Sequence, residues 1–313
     1  MKRKLSEMCA QNGGVFQTMT NTTETATTKT DVLRIYPHMR HRIGFRPKLA
    51  IRRLLAGKRA FPKVFILGIQ KCGTTSLEKY LSEHPMILPP YHKEMKYFDL
   101  FHFKSPGWYL AHFPLQKHLS GGKITLDATP DYIFYPKAAQ QIKAQIPDAR
   151  FLVALRDPVD RAFSHYLYSK RRGYEDLPFM AALENEELRI EEEREMLTKK
   201  GGGVAWRYRE NSYKQRGLYC QQLRHWFRFF PKDRFMIIDA EKLKNNRQAT
   251  YDEILAFLDL PSHDLVDTQK HNMAPGIKEK MTVAEENYLK AFYKEANAQL
   301  FQLLDREFDW KRD

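Results

Sequence analysis

Residues 64–76 read VFILGIQKCGTTS, an apolar run followed by a polar turn that contains glycine. The apolar run predicts a buried strand, and the segment after the turn predicts a helix over residues 75–84. The first backbone N–H groups of such a helix have no partner within it, and the helix dipole favours negative charge beside them. The stretch therefore predicts a strand, an anion-binding turn and a helix, with the free N–H groups on Thr74, Thr75 and Ser76.

The residues of the turn fit a phosphate-like ligand. Gly73 allows a tight turn, Lys71 adds a positive charge, and Thr74 and Thr75 add hydroxyl donors. Gly68 and Gly73 have the spacing of a nucleoside-triphosphate P-loop, but Thr74 stands where that motif has lysine. This difference counts against a nucleotide kinase or NTPase, which stays an alternative, as does a strand–turn–helix that binds nothing.

Apolar strands alternate with helices along the rest of the chain. This pattern predicts a single α/β domain with a P-loop-like, doubly wound parallel sheet flanked by helices on both faces. A charged stretch at residues 177–200 predicts an exposed helix. The predicted strands are 64–68, 123–127, 151–155 and 235–239, and the other predicted helices are 138–145, 159–171, 217–230, 249–258 and 283–304.

A second anion site is predicted where the strand over 151–155 ends. Arg156 follows this strand at the edge where open α/β sheets bind ligands, and its planar guanidinium suits a phosphate. Asp157 and Pro158 are suited to begin the next helix. Ser164 lies about two helical turns further on and offers a hydroxyl. The alternative is that Arg156 pairs only with a nearby carboxylate.

Both segments resemble the nucleotide-binding motifs of sulfotransferases that use 3'-phosphoadenosine 5'-phosphosulfate (PAPS), above all the heparan sulfate N- and 3-O-sulfotransferase group. The two motifs come in the family's order, about 85 residues apart. The resemblance implies transfer of a sulfuryl group, without a metal, to a hydroxyl or amine on a carbohydrate. It assigns the 5'-phosphosulfate to the loop residues Lys71, Cys72, Gly73, Thr74, Thr75 and Ser76, and the 3'-phosphate to Arg156 and Ser164.

In-line sulfuryl transfer requires a base for the acceptor proton. Residues 92–99 read HKEMKYFD and match the family's Lys-Glu-x-x-x-Phe segment, which implies Glu94 as the base and Lys93 beside it as a catalytic cation. Lys96 is a second flanking cation. The alternatives are a solvated charged loop, or a histidine base as in sulfotransferases of small phenols, for which the candidates are His92, His102, His112 and His118.

The resemblance to the heparan group is incomplete. Ala128 occupies the position of that group's assisting lysine, and the group's C-terminal cysteine pair and Lys-Gly-Arg loop are missing. Lys270 and Asn272 lie at about the position of that loop and are predicted to close over the nucleotide. The acceptor therefore stays open at this point.

The positive charge is concentrated near the N-terminus. The chain has 313 residues and a net charge of +14, and residues 1–63 hold 14 Lys/Arg against 3 Asp/Glu. We therefore expect a basic, partly disordered leader over 1–60 and the sulfotransferase domain over 61–313. The leader leaves open a non-enzymatic protein that binds anions, but the near-neutral remainder argues against nucleic acid.

Within the leader, a short helix is predicted with one apolar side, formed by Leu49, Ile51, Leu54 and Leu55. The residues show no secretory signal and no apolar run long enough to span a membrane, which favours a soluble, cytoplasmic protein. Three widely spaced cysteines, without a disulfide or zinc pattern, agree with a reducing compartment.

Overall fold

The computed structural model describes residues 47–200, 204–266 and 279–310. Its centre is a parallel four-stranded sheet in the order β2–β1–β3–β4. The strands are β1 (Val64–Gly68), β2 (Leu126–Asp127), β3 (Arg150–Leu155) and β4 (Phe235–Asp239). The strands are almost wholly buried, as expected for a parallel sheet with helices on both faces, so the predicted fold class is confirmed.

Twelve α-helices lie among the described residues. In chain order they are α1 (Pro47–Leu54), α2 (Thr74–Glu83), α3 (Pro106–Leu110), α4 (Ala138–Gln145), α5 (Pro158–Arg171), α6 (Phe179–Glu184), α7 (Glu186–Glu195), α8 (Trp206–Glu210), α9 (Tyr219–Phe227), α10 (Ala240–Asn245), α11 (Arg247–Phe257) and α12 (Val283–Leu304). None of them is long and apolar enough to cross a membrane.

The strand order positions the ligand site. After β1 the chain adds β2 on one side, and β3 then pairs with β1 on the other side, with Gly68 beside Val153. The chain leaves the end of β1 towards β2 on one side and leaves the end of the neighbouring β3 towards β4 on the other side. The gap between these two connections is the crevice where open α/β sheets bind ligands. The turn before α2 and Arg156 both lie at this crevice.

The segment over 177–200 is not the single exposed helix that its charge predicted. It forms α6, α7 and a π-helical turn (Met196–Lys200), and Phe179, Leu183 and Ile190 are buried. Glu186 is buried as well, because its carboxylate accepts the backbone N–H groups of Lys214 and Gln215 at 2.6 and 2.8 Å. The pattern of charged residues therefore did not reveal that one side of this segment is buried.

The helix predicted near residue 50 exists, but its apolar residues do not share one side. Leu49 is buried against the domain, whereas Ile51, Leu54 and Leu55 are exposed. Arg52 and Arg59 of the same segment donate hydrogen bonds to the backbone oxygen of Phe113. Residues 47–60, which the sequence analysis assigned to the leader, therefore pack on the domain.

Candidate active site

The turn between β1 and α2 has the backbone of an anion-binding loop. Lys71 and Gly73 have positive φ angles of 74° and 83°, and Gly73 is the N-cap residue of α2. Glycine has no side chain to cap the first amides of α2, so these N–H groups can face a ligand. A Cβ at Gly73 would meet nothing within 4 Å, which leaves space in front of the loop.

The ammonium of Lys71 lies in a strongly positive environment. Burial, together with the positive charges of Arg171, Arg156 and Arg161, lowers the pKa of Lys71 to about 8. Its Nζ lies 4.8 Å from the centre of the Tyr168 ring, a cation–π contact. A bound anion would relieve the repulsion among these cations, so the electrostatics fit a negatively charged ligand.

Arg156 offers unused hydrogen-bonding capacity at the same crevice. Its Nη2 lies 3.3 Å from Oδ2 of Asp160, which is the local ion pair that the sequence left open. Its Nε, however, is buried and has no hydrogen-bond partner. The Tyr219 hydroxyl donates to the Arg156 backbone oxygen at 2.9 Å and fixes the residue. The ion pair with Asp160 therefore positions the guanidinium, and its Nε has no partner among the described residues.

The Tyr168 ring was missed by the sequence analysis. Tyr168 follows Ser164 by four residues on α5, and four residues bring two side chains to the same face of a helix. Both side chains are half-buried. This i, i+4 spacing was the available signal, but only the distance to Lys71 shows that the ring belongs to the site.

The loop over residues 92–99 reaches the phosphate loop directly. Nζ of Lys93 donates to Oγ1 of Thr75 at 2.5 Å, so the two sequence motifs meet in space. Glu94 and Lys96 have left-handed φ angles of 55° and 54°, which cost energy for residues with a Cβ. The surrounding contacts hold this strained backbone next to the first turn of α2.

Lys96 is the cation paired with Glu94. Its Nζ lies 3.0 Å from Oε2 of Glu94 and 3.0 Å from Oδ2 of Asp131. Burial alone would raise the pKa of Glu94, but the positive charges of Lys96 and Lys93 outweigh it and hold that pKa below the usual value. The Glu94 carboxylate is therefore ionised and available to accept a proton.

Residues 61–311 match the sulfotransferase domain family.

The chain belongs to that family.

Three relatives show how similar the protein is to known sulfotransferases. The solved sulfotransferase from Alicyclobacillus acidocaldarius is 30% identical with a TM-score of 0.62, covering 81% of this chain and 100% of that one. Human heparan sulfate glucosamine 3-O-sulfotransferase 6 is 28% identical, over 81% of this chain and 75% of its own length. Membrane-associated sulfotransferase kil1 from Dictyostelium discoideum is 25% identical, over 80% of this chain and 66% of its own length.

The lysine beside Glu94 in this sulfotransferase does not stand at the position of the assisting lysine of the heparan-type pattern. Ala128, at the position of the missing lysine, is buried. The ammonium next to Glu94 comes instead from Lys96, in the same loop. Lys93, the predicted catalytic cation, points to Thr75. The structure thus brings Lys93 to the phosphate loop and Lys96 to the candidate base.

Behind Lys96, a buried ion-pair network leads to a polar pocket. The carboxylate of Asp131 accepts from Lys96, and also from Arg209 and Arg216 at 2.8 Å each. Arg209 also pairs with Asp99. The two aspartates and the two arginines line the pocket together with the aromatic rings of Phe134, Tyr135 and Tyr208. No local sequence pattern marks this network, because its members come from four separate segments of the chain.

The Cys72 thiol is buried and contacts a tyrosine hydroxyl. The residue is 1% exposed, and its Sγ lies 4.0 Å from the Tyr219 hydroxyl. Burial raises the pKa of Cys72 to about 11, so the thiol stays protonated. The buried thiol leaves the backbone of Cys72 as the part of this loop residue that is predicted to contact the anion.

The histidine alternatives differ in position. His112 is buried, and burial lowers its pKa to about 4, while its Nδ1 lies 2.9 Å from the Trp108 backbone oxygen. His102 contacts the Asp99 backbone oxygen at 3.0 Å, and His118 is exposed. His92 packs edge-on against the Tyr91 ring. Lys270 and Asn272 lie outside the described residues.

Proposed function

We propose that this sulfotransferase transfers the sulfuryl group of PAPS to a hydroxyl or amine of a carbohydrate, with Glu94 as the general base. The observation that carries the proposal is the 2.5 Å hydrogen bond from Lys93 to Thr75. It joins the loop of the only carboxylate predicted as a base to the loop predicted to bind the phosphosulfate. Donor and base are therefore brought within reach of one reacting centre.

The donor site is supported by unsatisfied positive charge. The lowered pKa of Lys71, near 8, reflects burial among arginines, and Arg156 Nε lacks a partner. These features suit two separate anionic groups. Lys71 and the first amides of α2 would bind the 5'-phosphosulfate, and Arg156 and Ser164 would bind the 3'-phosphate. When bound, PAPS supplies the activated sulfuryl group.

The residues divide the chemistry between charge and proton transfer. Lys71 is positioned to neutralise negative charge that develops on the leaving phosphate, and preorganised charge of this kind contributes strongly to transfer reactions. Glu94 accepts the acceptor proton at its carboxylate. Lys96 keeps that carboxylate ionised, and Lys93 orients its loop against Thr75. The protein needs little motion to do this, because the strained loop is already held in place.

The carbohydrate acceptor is supported by the relatives. One relative is named for 3-O-sulfation of heparan sulfate glucosamine. Because the assisting lysine is replaced at Ala128, the acceptor need not be heparan sulfate itself.

The test is sulfation of a carbohydrate panel with radiolabelled PAPS, using wild type and Glu94→Gln. The variant should retain affinity for the product nucleotide PAP but lose turnover by about 10²–10⁴-fold, the usual contribution of a general base. Glu78→Gln is the matched control, since Glu78 is a nearby carboxylate whose charge also acts on Lys93. Full activity of Glu94→Gln would remove Glu94 as the base, and failure of PAP to bind wild type would refute the donor.

A further inference from the structure

Helix α1 is fixed on the domain by one side only. Leu49 is 6% exposed and packs inward. One turn later, Nε of Arg52 donates to the Ala111 backbone oxygen at 2.6 Å, and Nη2 donates to that of Phe113 at 2.9 Å. Because residues three apart lie on the same side of a helix, these contacts fix the orientation of α1. Its opposite side is consequently held outward.

That outward side is aliphatic. Ile51 is 63% exposed, Leu54 is 85% exposed, and Leu55 just after the helix is 40% exposed. Their i, i+3, i+4 spacing places them together, and we call them the α1 apolar face. Adjacent exposed aliphatic residues mark an interaction surface more often than scattered ones do.

Positive charge surrounds the α1 apolar face. Lys48, Arg53 and Lys58 are exposed around it, and residues 47–63 contain six Lys/Arg and no Asp or Glu. An aliphatic face with a cationic border matches the interface of an anionic bilayer, where the apolar side chains enter the acyl boundary and the cations meet the headgroups. A second copy of the chain would bring the same positive charge against it. A hydrophilic polyanion would attract the cations but would leave Ile51 and Leu54 in water.

We propose that the α1 apolar face docks this protein on an anionic lipid surface. The guanidinium of Arg52 lies 5.3 Å above the ring of Tyr91, which precedes the Lys93–Glu94 pair by two residues. Docking through α1 therefore brings the loop that carries the candidate base towards the bilayer. The proposal concerns binding and stands independently of the reaction assigned to Glu94.

The test is co-sedimentation of the full chain with phosphatidylcholine vesicles, with and without phosphatidylserine. Wild type should bind the phosphatidylserine vesicles, and less strongly as salt rises. Ile51→Ser/Leu54→Ser should weaken that binding by about tenfold or more, since each buried methylene contributes measurably to membrane affinity. Leu188→Ser is the matched control, because Leu188 is 78% exposed but lies on α7. It should bind as wild type does.

Three results would overturn the proposal. Equal vesicle binding by Ile51→Ser/Leu54→Ser and wild type would place the lipid contact elsewhere in the chain. Binding of wild type to heparin but not to either vesicle would identify a soluble polyanion as the partner. A wild-type dimer in size-exclusion chromatography that becomes monomeric in the double variant would show that a second copy covers the α1 apolar face.

Discussion

Lys71 can attract an anion only while its amine is protonated. With a pKa of about 8 in the free protein, the amine is charged at neutral pH and loses its proton as pH rises through 8. Above that value, PAP binding must take up a proton, so affinity should fall by up to about tenfold per pH unit. Isothermal titration between pH 7.5 and pH 9.5 measures this, in a range where the phosphates of PAP are almost fully ionised.

Lys71→Arg is the control for this alkaline loss of affinity. Arginine stays charged throughout the range, so the variant should bind PAP with an affinity that does not change with pH, even if its geometry makes the affinity lower. A flat wild-type profile, or a variant profile that falls like that of wild type, would show that another group controls binding.

Lys96 sets the protonation of the candidate base. In Lys96→Met, burial continues to raise the pKa of Glu94, but the main opposing charge is gone. The acid limb of kcat/KM should therefore move to higher pH, because the adjacent opposite charge that favours the ionised carboxylate is lost. Lys79→Met, at an exposed position of α2, should leave the limb in place. If the acid limb of Lys96→Met stays at the pH of the wild-type limb, Glu94 is not the group whose ionisation controls the rate.

At single positions, sequence patterns predicted backbone conformation better than side-chain direction. The tight turn before α2 followed from Gly73 and from the start of the predicted helix, which are local features. The side-chain directions of neighbouring residues in the same loops were not predicted: Cys72 faces Tyr219 and Lys93 faces Thr75. These directions depend on left-handed φ angles and on segments distant in sequence, so no local spacing encodes them.

Between elements, the ion-pair network of Asp131 joins the loop after β2 to α8 and to the loop of Glu94. Asp131→Asn would leave Lys96, Arg209 and Arg216 with too little negative charge in a buried site. Removing one partner of a buried pair costs about 3–5 kcal/mol, so the free energy of unfolding should fall by that amount. Urea denaturation with an unchanged m-value measures it.

The matched control for the network is an exposed ion pair. Glu241 and Lys244 lie 2.8 Å apart on α10 with both side chains largely solvated, so Glu241→Gln should cost less than about 1 kcal/mol. If Asp131→Asn and Glu241→Gln lower the free energy of unfolding equally, the buried network has no special structural role.

Element prediction succeeded for two strands and two helices. β1, β4, α4 and α12 follow their predicted bounds. The strand predicted over 123–127 is only Leu126–Asp127, because pairing with β1 is confined to the two positions that face Val64 and Phe65. The prediction of a single exposed helix over 177–200 was wrong, because a charge pattern does not reveal a buried glutamate. The carboxylate of Glu186 is held by backbone N–H groups.

For the whole molecule, alternating strands and helices predicted the α/β class but not the strand order. The order β2–β1–β3–β4 depends on which edges meet, and this order creates the crevice between the turn before α2 and Arg156. The overall charge of +14 also said little about packing. Within the basic stretch, two arginines and Leu49 fasten α1 to the domain rather than facing solvent.

Removal of residues 1–60 should therefore destabilise the protein. The truncation exposes the surface under Leu49, whose burial contributes about 1.5–3 kcal/mol. It also takes away the Arg52 and Arg59 donors from the backbone oxygens of buried Ala111 and Phe113, at about 1–3 kcal/mol for each acceptor left unsatisfied. Since about 1 kcal/mol shifts Tm by 2–4 °C in a domain of this size, calorimetry should record a clear drop. A chain that begins at residue 47 keeps all of these contacts and is the control. Equal Tm values for the two truncated chains would contradict a structural role for α1.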